Sequence, residues 1–99
     1  VKFIKNNYAN PDLSITAISE YTNLSPTYIC HLFKDTTKMT INNFILNYRM
    51  QKAQQLLKDP VCKVKEVGFL VGYRNGNYFS YQFKKFTGLS PSQFREKTI

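Results

Sequence analysis

Six positions of this sequence recur fifty residues further on, and any fold the chain adopts has to accommodate that repetition. Ile29, Phe33, Lys34, Met39, Thr40 and Phe44 return as Phe79, Phe83, Lys84, Leu89, Ser90 and Phe94, apolar for apolar, lysine for lysine and hydroxyl for hydroxyl. Nearer the start of each copy the offset is 49, and Ile15, Ile18, Ser19, Asn23 and Leu24 match Val64, Val67, Gly68, Gly72 and Tyr73. The second copy therefore carries one extra residue in its turn. A fixed internal period means one supersecondary unit built twice.

Each copy reads as a short helix, a turn and a second helix. Ser14 is a good N-cap for a helix whose apolar positions are Ile15, Ile18 and Tyr21, and which stops at Asn23. Ser25-Pro26 then supplies an N-cap with proline at the first helical position, opening a helix that runs to about Thr37. Ile29, Leu32, Phe33 and Thr36 share one face of it, while Thr27, Cys30, His31 and Lys34 share the other. Residues 71–95 repeat the arrangement: Phe79, Phe83 and Phe86 recur at helical spacing between Gly72 and Gly88, with Asn77, Ser80, Tyr81 and Lys84 opposite them. Asn23 and Gly72, at the turn centres, are the residue types that best tolerate a left-handed backbone. Small Ser19 and Gly68 let the helices of each copy approach closely. This is the helix-turn-helix pattern. Before the first copy, Val1, Ile4 and Tyr8 line one face of a short packing helix that Asn10-Pro11-Asp12 interrupts. After the second, Ser90-Pro91-Ser92-Gln93 makes a capping box for a final short helix that packs Phe94.

Between the copies, residues 40–58 form one helix uninterrupted by Gly or Pro. At about 100° per residue, Ile41, Phe44, Ile45 and Tyr48 cluster on one side, whereas Leu46, Met50, Ala53 and Leu57 cluster roughly 150° away. Its halves bury different faces, so it is a bridge: the first half packs into one unit and the second into the other. Its 19 positions span roughly 28 Å, comparable with the roughly 34 Å between successive major-groove faces of B-DNA. The expected organisation is one all-α domain, with a first helix-turn-helix subdomain over 1–39, the bridge over 40–58 and a second subdomain over 59–99.

Charge narrows the partner. Fourteen Lys and Arg against six Asp and Glu leave a net +8 on 99 residues, which points to an anionic surface such as nucleic acid, an acidic protein or a membrane. No apolar run approaches the roughly 18 residues of a membrane span, and no signal peptide opens the chain. Cys30 and Cys62 stand apart and form no Cys-x-x-Cys pair, so the sequence suggests neither a zinc site nor a disulfide framework, and reduced thiols in a cytoplasm fit best. His31 is the sole histidine, with no nucleophile or carboxylate constellation beside it, so no catalytic residue, metal or cofactor is expected. Amides and hydroxyls on the repeated polar faces can pair with base edges, and lysines there can neutralise phosphates. In a single copy, an ordinary solvated face explains the same residues; a basic helical module meeting an acidic protein is the alternative for the whole. That alternative does not explain why two polar faces repeat in register. Tyr28 and Tyr78, just inside the second helix of each copy, are read as packing residues.

The repeat, the bridge with Arg49-Met50, Ala53 and Leu56-Leu57, and the run Val71-Gly72-Tyr73, Tyr78-Phe79-Ser80, Phe83-Lys84-Lys85, Gly88-Leu89-Ser90-Pro91 and Arg95 resemble the AraC/XylS family of bacterial transcription regulators. The resemblance runs from Ser14 to Arg95. It implies seven helices in two homeodomain-like helix-turn-helix subdomains, whose third and sixth helices enter successive major grooves on one face of bent double-stranded DNA. By the same resemblance, Thr27, Cys30 and His31 in the first copy, and Gly76, Asn77 and Tyr81 in the second, stand at base-reading positions. Lys34, Asn75, Ser80, Lys84 and Lys85 are assigned to phosphate. RNA polymerase is a further partner that such a regulator implies. The wording of the second copy is closest to the branch at the C-terminus of two-component response regulators, in which a receiver domain would precede Val1. An opening residue other than Met fits a piece of a longer protein. Some repair proteins that accept methyl groups from DNA contain the same module, but that chemistry needs a zinc-holding cysteine cluster.

Four positions depart from the family pattern. Lys38 stands where glycine is nearly obligate and where the second copy has Gly88, so a left-handed cap there costs roughly 1 kcal/mol or the helix ends differently. His31 and Tyr81 stand where many relatives carry arginine, and neither can make the forked contact to guanine. Gly76 has no side chain to read with and instead allows a close approach to the sugar-phosphate.

Overall fold

A computed structural model describes residues 2–98, with the side chain of Thr98 left aside. Seven helices follow one another among them: α1 (Lys2–Asn7), α2 (Ile15–Thr22), α3 (Pro26–Thr37), α4 (Ile41–Leu57), α5 (Val64–Leu70), α6 (Gly76–Thr87) and α7 (Pro91–Thr98). Val1, placed by its spacing on the face of Ile4 and Tyr8, lies outside the described residues.

The helix starts follow from side chains that accept otherwise unpaired N–H groups. The Ser14 hydroxyl accepts from the Ala17 N–H at 3.2 Å, Ser25 from Tyr28 at 3.2 Å, and Thr40 from Asn43 at 3.2 Å. At α7 the capping box closes both ways: Gln93 N–H donates to the Ser90 hydroxyl at 3.2 Å, and Ser90 N–H donates to the Gln93 carboxamide at 3.0 Å.

The ends of the helices locate the extra residue of the second copy. α2 stops on Asn23, left-handed at φ 59°, whose N–H donates to the Ser19 carbonyl at 2.9 Å. α5 instead ends in a Schellman motif around Gly72 at φ 106°, with Tyr73 N–H donating to the Gly68 carbonyl at 2.8 Å and Gly72 N–H to Phe69 at 3.2 Å. Leu24 alone then separates Asn23 from the cap of α3, whereas Tyr73 and Arg74 separate Gly72 from the cap of α6. α3 ends on Lys38, left-handed at φ 63°, so the chain accepts the strain there and does not end the helix differently.

Two cores flank α4, as its two faces predict. Ile41 and Ile45 join Ile4, Ile18 and Ile29 in the first, while Met50, Ala53 and Leu57 join Val67, Val71, Phe79 and Phe83 in the second. At an offset of 49, Ile4 corresponds to Ala53; at 50, Phe44 corresponds to Phe94. The first half of α4 therefore serves as the fourth helix of the first module, and its second half as the first helix of the second. Gly68 is buried against α6, where an added Cβ would sit 3.0 Å from the Phe79 ring, so the close approach expected of the small residue is realised.

Periodicity overstated burial on one flank of the paired helices. Leu32 is 49% exposed and Phe86 41%, and Thr36 faces solvent too, although all three share the apolar side of α3 or α6. The covering helices are narrower than the apolar stripes, so each stripe shows its edge. Tyr21 is 68% exposed and covers Phe3 with one ring face, the centroids 4.3 Å apart. Tyr28 and Tyr78, expected to pack, are each about half exposed.

Candidate nucleic-acid interface

α3 is held by Ile29 and Phe33 and α6 by Phe79 and Phe83, so their opposite sides are fixed outward by packing alone. On α3 the outward side carries Thr27, Cys30, His31 and Lys34, all exposed. On α6 it carries Asn77, Tyr81 and Lys84, also exposed, with Tyr81 at 62%, while Gly76 at the helix start and Lys85 on the flank are exposed beside them. None of these side chains makes a hydrogen bond or ion pair with another described residue. A surface that keeps its donors, acceptors and charges uncommitted can exchange them with a ligand without first breaking internal bonds.

Some of the expected residues sit differently from the rest. The Asn75 carboxamide oxygen is already engaged as the α6 cap, accepting from Asn77 N–H at 2.8 Å and Tyr78 N–H at 3.1 Å; only its Nδ2 side remains for a partner. Ser80 is half-buried beside Gly68 and Pro91, in a shallow groove that Asn77 also lines. Lys85 leans toward α4, beside Leu46, Gln82 and Phe86, and so lies off the stripe of Asn77 and Lys84. At Gly76 an added Cβ would meet nothing within 4 Å, so the fold itself does not demand glycine there. Gln82, which sequence reasoning left out, donates from Nε2 to the Tyr78 hydroxyl at 2.8 Å at the edge of the same face. A polar residue one helical turn from Phe86, on the flank of an apolar face, was the available signal.

The two modules also meet outside the two cores that α4 shares between them. Arg49, in the middle of that helix, donates from Nε to the Tyr8 carbonyl at 2.9 Å and from a terminal nitrogen to the Asn10 carbonyl at 3.0 Å. Its guanidinium lies 5.3 Å from the centroid of the Tyr73 ring, in the turn before α6. Burial raises the pKa of the Tyr73 hydroxyl, against the opposing pull of the Arg49 charge, and so favours a neutral phenol beside the cation. Gly72 completes the contact: a Cβ there would stand 2.5 Å from the Tyr8 carbonyl oxygen and 2.9 Å from Arg49 Nε. Alongside, Arg74 pairs with Asp12, both well exposed. Arg74 is the residue by which the second turn is longer. In sequence Arg49 was visible only as part of a motif, because its partners are backbone atoms about forty residues away.

Among the described residues no group of three or more potential ligands could hold a metal ion, and no helix is long and apolar enough to cross a membrane.

Comparison with known proteins agrees with this architecture. A family model described as a helix-turn-helix domain matches residues 18–97. The Msm operon regulatory protein of Streptococcus mutans is 34% identical over 96 residues, covering 97% of this chain and 34% of that protein. The C-terminal domain of the two-component response regulator YesN from Fusobacterium nucleatum superposes with a TM-score of 0.90 at 31% identity, covering 95% of this chain and 91% of that one. The DNA-binding domain of AdpA, solved in complex with a target DNA, shares the fold with a TM-score of 0.88 at 19% identity, over 97% of this chain and 86% of that one. The chain spans about a third of the length of several curated relatives. With a family model over most of its length and a response-regulator domain matched nearly end to end, the chain belongs to the AraC/XylS family of helix-turn-helix DNA-binding domains.

Proposed function

We propose that this domain reads two half-sites of one double-stranded DNA operator, with α3 and α6 in successive major grooves, and that it forms the DNA-binding end of a cytoplasmic bacterial transcription regulator. The observation that carries this reading is the repetition of an outward, uncommitted polar face on two helices of one elongated body. That body is 43 Å long, against the roughly 34 Å between successive groove faces. Thr27, Cys30 and His31 on α3, and Asn77 and Tyr81 on α6, take the base edges, and Gly76 lets the α6 N-terminus come close to the backbone. Lys34 and Lys84, at matched positions, take phosphates. Ser80, Lys85 and the free side of Asn75 act at the margins. The net charge of +8 favours approach to any duplex, and the amides and hydroxyls supply choice.

The share of its relatives that the chain covers supports a longer protein in which a receiver or effector domain controls these helices. The likeness to a response-regulator C-terminal domain favours a receiver. RNA polymerase is a further partner on the family reading.

Selection of duplexes from a random-sequence pool tests the proposal directly. A motif with two half-sites is expected. Asn77→Ala should then cost roughly 1–3 kcal/mol on the selected site and relax choice at one base, whereas Lys84→Ala should weaken all duplexes alike and lower the salt slope by about one. Absence of any enriched motif, with both variants binding as the unmodified protein does, would rule out the specific-reader assignment.

A further inference from the structure

We infer that Arg49 is a positioning residue for DNA reading: by gripping the α1–α2 loop and facing Tyr73, it sets the angle between the two reading helices. The inference rests on the two-half-site reading above for its consequence, though not for its geometry.

A comparison within the chain isolates what is special about Arg49. Arg95, on α7, donates from Nε to the Leu57 carbonyl at 2.9 Å and from a terminal nitrogen to the Asp59 carbonyl at 3.0 Å. Leu57 and Asp59 correspond to Tyr8 and Asn10 at the repeat offset of 49. The same forked grip thus closes the end of the first helix in each module. Arg95 makes these contacts inside the second module, with carbonyls at and just past the end of α4. Arg49 makes them in the first module and also meets the second, through the Tyr73 ring at 5.3 Å and the space left by Gly72.

The result is a second tie between modules that α4 already joins. A single helix leaves bending and twisting about its axis as the soft motions between two bodies packed on its halves. A contact displaced from that axis opposes both. The planar guanidinium suits the task because its donors are fixed relative to one another, so holding two carbonyls also fixes the plane presented to Tyr73. The Arg74–Asp12 pair works across the same seam but is exposed on both sides, where an ion pair contributes little.

The test uses backbone N–H residual dipolar couplings of the free protein in a weakly aligning medium. One alignment tensor is expected to fit both modules of the unmodified chain. Arg49→Ala should require two, with each module still fitted by its own helices. A single tensor for Arg49→Ala overturns the inference. Should that variant fail to fold by circular dichroism, Arg49→Gln, which keeps the stem and one donor, is read by the same criterion.

Binding supplies the second arm, with two probes: the duplex enriched from the random pool, and the same duplex with one half-site scrambled. Arg49→Ala should lower affinity for the intact duplex about tenfold or more and for the scrambled one less than about twofold, because what it removes is the coupling between half-contacts. Equal losses on both probes indicate a merely structural role and overturn the inference. If no duplex is enriched, the DNA-reading assignment falls, and the couplings still decide whether Arg49 positions the modules.

Discussion

Two residues in this chain hold a left-handed backbone without being glycine, and they are not equivalent. Asn23, at φ 59°, is of a type that visits this region readily, because its short amide can bond locally. Lys38, at φ 63°, has no such help, and its repeat partner Gly88, at φ 86°, marks how the position is relieved in the second module. Lys38→Gly should therefore raise stability by up to about 1 kcal/mol, somewhat reduced by the greater freedom of glycine in the unfolded chain. Asn23→Gly should gain less. Thermal denaturation of the two variants side by side checks the ordering; an equal or larger gain for Asn23→Gly would contradict the account of strain. Both substitutions lie off the outward faces of α3 and α6, so DNA affinity should follow stability alone for Asn23→Gly, whereas Lys38→Gly also removes one positive charge.

Among the elements, α4 carries the heaviest structural duty, since Ile41 and Ile45 complete one core and Met50, Ala53 and Leu57 another. Gln51 is exposed and buries nothing, yet it sits near the middle of the helix, one residue past Met50, the first residue of α4 buried in the second core. Gln51→Pro would remove one helical hydrogen bond and press the ring on the preceding turn, costing about 3 kcal/mol or more. Affinity for a full operator should fall further than with Asn77→Ala or Lys84→Ala. Gel shifts on full-site and half-site duplexes check this, and unchanged affinity for the full site would end the argument that α4 is a strut. Much of this was legible beforehand, for a physical reason: caps such as Ser14, Ser25 and Ser90, and the two stripes of α4, are written in residues a few positions apart. The outward faces of α3 and α6 were legible on the same terms. Exposure of Leu32, Phe86 and Tyr21 was not, because periodicity gives the direction of a face but not the width of what covers it. The engagement of Asn75 as a cap was a local signal that the family resemblance obscured. Arg49 was beyond local reasoning, since it binds the backbone of residues 41 and 39 positions away.

At the scale of the whole molecule, the shared helix means that the sequence boundaries of the modules are not boundaries of stability. A peptide of residues 1–39 keeps Ile4, Ile18 and Ile29 but loses Ile41 and Ile45, the other buried members of that core. It is also near the size below which a chain rarely buries enough surface to fold alone. It should give a disordered circular-dichroism spectrum with no cooperative melt; a sharp melting transition would show that α4 is not needed. The Arg49 side chain, reaching off the axis of α4 to the backbone of Tyr8 and Asn10 and to the Tyr73 ring, adds to the same unity. A reader whose two hands are held at one angle gauges the pitch of the double helix between its half-sites as well as their letters. Superhelical tension, which winds or unwinds that interval without changing a base, thereby becomes a variable to which occupancy of the operator responds.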